Sequence, residues 1–131
     1  MNEPGQDAGF DEIEATIRLE ILNRLGDIYD TEMEDFVKAE IIWGRALGVA
    51  EQLYGAKDGN TLRMAHNLAV AYDQLDKLPE SERMYQRTLA GYEAYYGPES
   101  ELAVKVWHCY GHVLGSQYRI WKLIFYVFTC G

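Results

Sequence analysis

His108 and His112 stand four residues apart on a predicted helix, with Cys109 beside the first. These are the side chains whose types and spacing come nearest to bond-making chemistry. An i, i+4 pair can present two imidazoles to one metal ion. The zinc-hydrolase string H-E-x-x-H also needs a glutamate directly after the first histidine, and Cys109 occupies that place. No third ligand is fixed nearby, although His66, 42 residues upstream, could approach. Cys109 next to a histidine could form a thiolate pair, but a packing or surface position explains it as well. No G-x-S-x-G, G-x-G-x-x-G or G-x-x-x-x-G-K-[ST] string occurs. A metal- or thiol-dependent enzyme using His108, His112 and Cys109 is therefore the alternative reading. The preferred expectation is no catalysis, no metal and no cofactor.

The chain that must position these residues has 131 amino acids, enough for one domain with a modest core. Its formal charge is −9, which argues against nucleic acid or an anionic membrane as a partner. The charge is uneven. Residues 1–40 hold 12 acidic and 3 basic side chains, whereas residues 41–131 hold 9 of each. The acidic stretch reads first as a solvated tail and helix face, and second as a patch for a basic partner. The aromatic share of 13% could serve base stacking, but most of these residues fall at packing positions of a repeat. The first residues, MNEPGQDAGFDE, lack the basic and apolar regions of a secretory signal. The longest apolar stretch, Leu123–Phe128, is far short of the roughly 20 residues that span a bilayer. A cytoplasmic protein follows as the expectation, with Cys109 and Cys130 as reduced thiols; one disulfide between them is not required.

Self-similarity organises the chain. Tyr54-Gly55 recurs as Tyr96-Gly97, an offset of 42. At that offset Glu40, Arg45, Leu47 and Glu51 meet Glu82, Arg87, Leu89 and Glu93, and His66 falls over His108. Upstream the offset is 43, with Leu25-Gly26 over Leu68-Ala69 and Tyr29 over Tyr72. One extra residue in the 31–37 loop accounts for the change. A period of this size indicates stacked supersecondary units.

Within each unit the apolar spacing is helical. Ile13, Ile17, Ile21, Leu25 and Ile28 run at steps of three and four, as do Leu62, Ala65, Leu68, Ala69 and Tyr72. Breakers separate the runs: GAKDGN at 55–60, Asp76 to Pro79, and Gly97-Pro98. Asn60 and Ser100 suit N-cap positions, and Asp11 with Glu14 resembles a capping box. The pattern predicts helices near 11–30, 35–54, 61–75, 80–96 and 100–116. Short helices joined by tight loops form hairpins, and each hairpin needs its neighbour to cover its apolar face. The predicted fold is all-α, a short right-handed solenoid of about two and a half helical hairpins. It occupies residues 11–117, after a disordered segment 1–10 and before an atypical hydrophobic tail 118–131.

The residues at the predicted contacts resemble the tetratricopeptide signature, W-x2-L-G-x2-Y followed by A-x3-F. The first unit reads Leu22, Leu25, Gly26 and Tyr29, then Ala39 and Trp43. The second reads Ala65, Leu68, Ala69 and Tyr72, then Ser81 and Tyr85, and the third opens with Trp107, Tyr110, Gly111 and Leu114. Small residues (Gly26, Ala69, Gly111, Ala39, Ser81) would let helices approach, and large ones would fill the space between hairpins. The 42-residue period, and the phrases TLRMAHNLAVAYDQLDKL and ERMYQRTLAGYEAYYG, are similar to the kinesin-light-chain type of these repeats. The resemblance covers residues 19–120. It implies a non-enzymatic scaffold or adaptor that binds a peptide or protein segment. It also implies a fragment of a longer array, of the kind found in fungal nucleotide-dependent signalling proteins.

In that family the first helix of each pair lines a concave groove. The resemblance places Glu20, Asn23, Arg24, Asp27 and Asp30 there in the first unit. Arg63, His66, Asn67, Val70 and Asp73 follow in the second, then Lys105, His108, Cys109 and His112 in the third. The candidate groove set is Asn23, Arg24, Arg63, His66, Asn67, Lys105, His108 and His112. The family often holds a peptide backbone with groove asparagines. Only Asn67 matches that place, with Arg24 and Cys109 in the flanking units, which departs from the family pattern. Arg24, Arg63 and Lys105 could form a basic ridge for an acidic or mixed peptide, since arginine pairs carboxylates bidentately. They could equally pair with Glu20, Asp27 and Asp73.

After GSQYRI the third unit should continue with a polar loop and a second helix, but the chain reads IWKLIFYVFTCG. Exposed, such a segment invites aggregation. It could cap the stack, form a self-association or partner surface, or be foreign to the fold as the end of a truncated array. The third reading is preferred, because solenoid ends are normally polar outside.

Overall fold

The computed structural model describes the backbone of residues 4–130, and the side chains of residues 11–115 with Ile124, Val127 and Phe128. Five α-helices follow one another: α1 Pro4–Asp27, α2 Phe36–Tyr54, α3 Gly59–Gln74, α4 Leu78–Tyr96 and α5 Glu101–Cys130. No strand occurs among the described residues. Each helix packs on the next in chain order, and α3 also touches α5 directly. Two hairpins, α1–α2 and α3–α4, are thus stacked with α5 against the second. This is the all-α solenoid expected from the repeat.

The 42-residue period survives as geometry. Phe36 and Leu78 open α2 and α4, and Tyr54 and Tyr96 close them. Gly55 and Gly97 follow with φ of 89° and 91°, each donating its N–H back to Glu51 or Glu93. That left-handed backbone is where glycine is least strained. The turns inside the hairpins also correspond. Glu34 and Asp76 both take positive φ, and the N–H groups of Asp35 and Lys77 reach the carbonyls of Tyr29 and Tyr72 at 2.8 and 2.9 Å. The first turn spans one residue more. A single π-helical turn, Ile28–Glu32, lies in that connection; such turns commonly house an inserted residue. This is the change of offset from 43 to 42.

Helix ends follow local chemistry, with some differences from the predicted boundaries. Pro4 opens α1, a position where its missing N–H costs nothing, so the helix begins inside the 1–10 segment. Asp11 and Glu14 are therefore interior residues, not a capping box. Asp35 Oδ1 accepts from the Lys38 N–H, and Asp58, not Asn60, caps α3 by accepting from the Asn60 N–H. Ser100 caps α5 as predicted, accepting from the Ala103 N–H. Pro79 lies in the first turn of α4. The helix of the third unit continues through the 118–131 tail to Cys130 without the predicted loop.

The core has two parts. Between the hairpins, Ala39, Trp43, Ala46 and Ala50 of α2 pack with Leu22 and with Met64, Ala65 and Leu68 of α3. A β-carbon on Gly26 would lie 2.6 Å from the Trp43 ring, so this glycine is what lets α1 meet the tryptophan. The second part joins Leu62, Ala69, Tyr85, Leu89 and Tyr92 to Ala103, Val106, Tyr110 and Val113 of α5. Ala39, Ala69 and Ser81 are fully buried, as the signature requires. The Ser81 hydroxyl donates to the Ala69 carbonyl at 2.8 Å, so this polar group is satisfied in the core. Gly111 is exposed, with open space among the described residues where a β-carbon would stand.

The apolar run of α1 needs a correction. Ile13, Ile17, Ile21 and Ile28 do not form its core face; they are exposed. The packed face is Leu19, Leu22, Leu25 and Tyr29. Helical spacing alone permitted either stripe, and only the position of α2 selects between them.

Candidate functional site

The predicted groove residues occupy α1, α3 and α5, and α4 supports the last two from one side by packing on both. The structure brings the α3 and α5 members together. His112 Nδ1 lies 3.3 Å from Asp73 Oδ2. His66 is half-buried against the Tyr85 ring, with centroids 5.9 Å apart. Its Nε2 is buried without a hydrogen-bond partner among the described residues. Burial, helped by the Lys105 ammonium, holds the His66 imidazole below the ordinary histidine range, so it is neutral at pH 7. Burial likewise pushes up the Tyr85 hydroxyl, with the charges of Cys109 and Asp73 adding to it.

Three predicted members carry unspent recognition capacity. Arg63 and Lys105 are exposed and make no ion pair among the described residues. The half-buried Asn67 amide lies between them in sequence and has no hydrogen-bond partner there either. The α1 members contribute less. Arg24 Nε binds Glu20 on its own helix at 3.0 Å, so the three-residue basic ridge shrinks to Arg63 and Lys105. Asn23 is half-buried and Asp27 exposed. Asp30 sits beside the Trp43 indole; burial raises its carboxyl above the usual range, and the indole N–H acts against that rise. His108 is exposed on α5.

The enzymatic alternative gains nothing from this arrangement. Among the described residues no group of three histidine, cysteine or acidic side chains is placed to hold a metal. Cys109 is a half-buried free thiol whose pKa is raised, first by burial, so it is protonated and weakly nucleophilic at neutral pH. Cys130's side chain lies outside the described residues.

Sequence reasoning missed a polar link across the second core. Tyr110 donates to Glu82 Oε1 at 3.0 Å and accepts from Gln86 Nε2 at 3.1 Å, tying α5 to α4. It also missed a concavity of about 510 Å³ beside the α2–α3 loop, lined by Lys57, Leu62, Arg87, Ala90, Gly91 and Tyr95. Its floor is made of small residues, which give no periodic signal, and its wall comes from a loop 30 residues away.

A stack of helical hairpins with an open face of polar and basic side chains defines a helical-repeat protein. The tetratricopeptide repeat family model matches residues 18–94, which is more than half of the chain, and the chain belongs to that family. No curated protein gives a significant match. Tetratricopeptide repeats generally mediate protein–protein interaction. No described helix is long and apolar enough to cross a membrane.

Proposed function

We propose that the chain is a non-enzymatic interaction scaffold whose groove on α3 and α5 binds an extended, carboxylate-bearing peptide segment. The observation that carries this is the row Arg63, Asn67 and Lys105. It offers two uncommitted cations and an uncommitted amide on adjoining helices. An amide donates to and accepts from a peptide backbone, while the cations pair acidic side chains. His66, neutral and half-buried behind them, provides a further acceptor or donor. The 42-residue spacing between the ends of α2 and α4 supports the kinesin-light-chain type of repeat, and an adaptor role in the cytoplasm is part of the same proposal.

The test is an array of immobilised acidic, mixed and basic peptides probed with the full chain. Acidic and mixed peptides should be retained over basic ones. Arg63→Ala with Asn67→Ala should weaken capture by at least about tenfold, the loss of one charged hydrogen bond. Equal capture of all three classes, or unchanged capture by the folded double variant, would place the site elsewhere.

A further inference from the structure

The concavity beside the α2–α3 loop stands apart from the groove, since none of Arg63, Asn67 and Lys105 lines it. Much of its lining comes from Ala90, Gly91 and Ala94 of α4, with Leu62 and the Tyr95 ring. The first hairpin carries larger side chains at two of these places. At the 42-residue offset Gly91 falls over Val49 and Ala94 over Gln52, and Val49 packs on the core. At Gly91 the space of a side chain is given to Leu62 instead. A β-carbon there would stand 2.5 Å from Leu62 Cδ1, so Leu62 lies directly on the α4 backbone and forms an apolar floor.

The walls are held in place. Arg87 Nη1 binds Glu51 Oε1 at 3.0 Å, and its Nη2 donates to the Ala56 carbonyl at 3.3 Å, which ties the α2–α3 loop to α4. Tyr95 is 78% exposed, yet its ring meets Tyr96 edge-on with centroids 4.8 Å apart. A second concavity, of about 340 Å³, shares Lys57, Leu62 and Tyr95 with the first and reaches Gly59 and Asn60 in the first turn of α3.

The charges at the rim are unequally engaged. Glu51 is taken by Arg87, and Asp58 Oδ1 accepts from the Asn60 N–H. Lys57 lines both concavities, is exposed and makes no ion pair among the described residues. The N-terminus of α3 opens beside it, and its dipole adds to the preference for an anion. A volume of about 510 Å³, an apolar floor and an uncommitted cation at the edge suit a small molecule with an apolar body and one negative group.

We infer that this concavity is a second binding site and takes a small aromatic monocarboxylate. The ring of the ligand lies on the Leu62–Gly91 floor against Tyr95, and its carboxylate meets the Lys57 ammonium. The inference is independent of the groove on α3 and α5.

Titration of cinnamate into the isotope-labelled full chain, followed by amide NMR, tests it. Saturable shifts should centre on Lys57, Gly91, Ala94 and Tyr95. Cinnamamide, the uncharged isostere, should bind at least about threefold more weakly, as suits an ion pair at an exposed rim. Lys57→Gln should bring the acid down to the level of the amide. Ala94→Phe, which fills the concavity from an exposed helix position, should remove the binding of both. Should Ala94→Phe lose helical content by circular dichroism, Ala90→Leu fills the same space. Shifts that centre elsewhere, or that never saturate, overturn the inference. So does equal binding of acid and amide by the wild type. So does tighter binding of a blocked phenylalanyl-glutamate peptide, which would give the concavity to a protein segment.

Discussion

The hairpins α1–α2 and α3–α4 are built alike but live differently. Their turns share a positive-φ residue at Glu34 and Asp76, their exits share a glycine at Gly55 and Gly97, and their small buried residues, Ala39 and Ser81, coincide. Yet the outer face of α3 is buried by α2, and the same face of α1 is open. Groove positions diverge in the same way. Asp73 meets His112 from α5, while its counterpart Asp30 sits beside Trp43. Loop and cap geometry is decided within a few residues, whereas burial and pairing are decided by which helix comes next.

The largest expected effect tests that difference at one repeat position. Met64→Ala should cost about 2–5 kcal/mol, a core truncation that leaves a cavity. Ile21→Ala should cost below about 0.5 kcal/mol. Urea denaturation of the two variants checks this, and equal losses would break the comparison. A middle-sized effect should be shared. Gly55→Ala and Gly97→Ala should each lose about 1 kcal/mol or slightly more, because both force a β-carbon into left-handed backbone with open space around it. Matching midpoint shifts would sharpen the view that these exits are local; a large disparity would oppose it.

The smallest effect concerns the half-buried His66. The folded state lowers the His66 pKa, so the unfolded chain binds the proton more readily. The contribution is present above the ordinary histidine value of about 6.5 and is lost as pH falls below it. Stability measured from pH 7 to pH 5 should therefore decline less in His66→Asn than in the wild type. A slope unchanged by His66→Asn would contradict the placement.

Much of the fold was readable in the residues. The Tyr-Gly repeat located the hairpin exits, and the shift from 43 to 42 located the inserted residue that the π-turn takes up. The Gly26–Trp43 and Ala69–Ser81 contacts followed from the small-and-large alternation of the signature. The site was less readable. Arg24 and Arg63 both belong to the predicted groove, but Glu20 lies four residues before Arg24 and binds it, while no such acid precedes Arg63. The isoleucine row of α1 was periodic enough to be taken for a core face and is not one.

By itself, then, the sequence determined the helices, their turns and their stacking order, because helix period, glycine exits and caps act over distances of a few residues. Tertiary structure alone decided which apolar stripe of α1 is covered. It also made His66 a neutral, half-buried neighbour of Tyr85 and Lys105. Burial and electrostatics depend on groups brought together from 19 to 39 residues away, as Tyr85 and Lys105 are from His66, and no local pattern encodes which of two similar faces meets them.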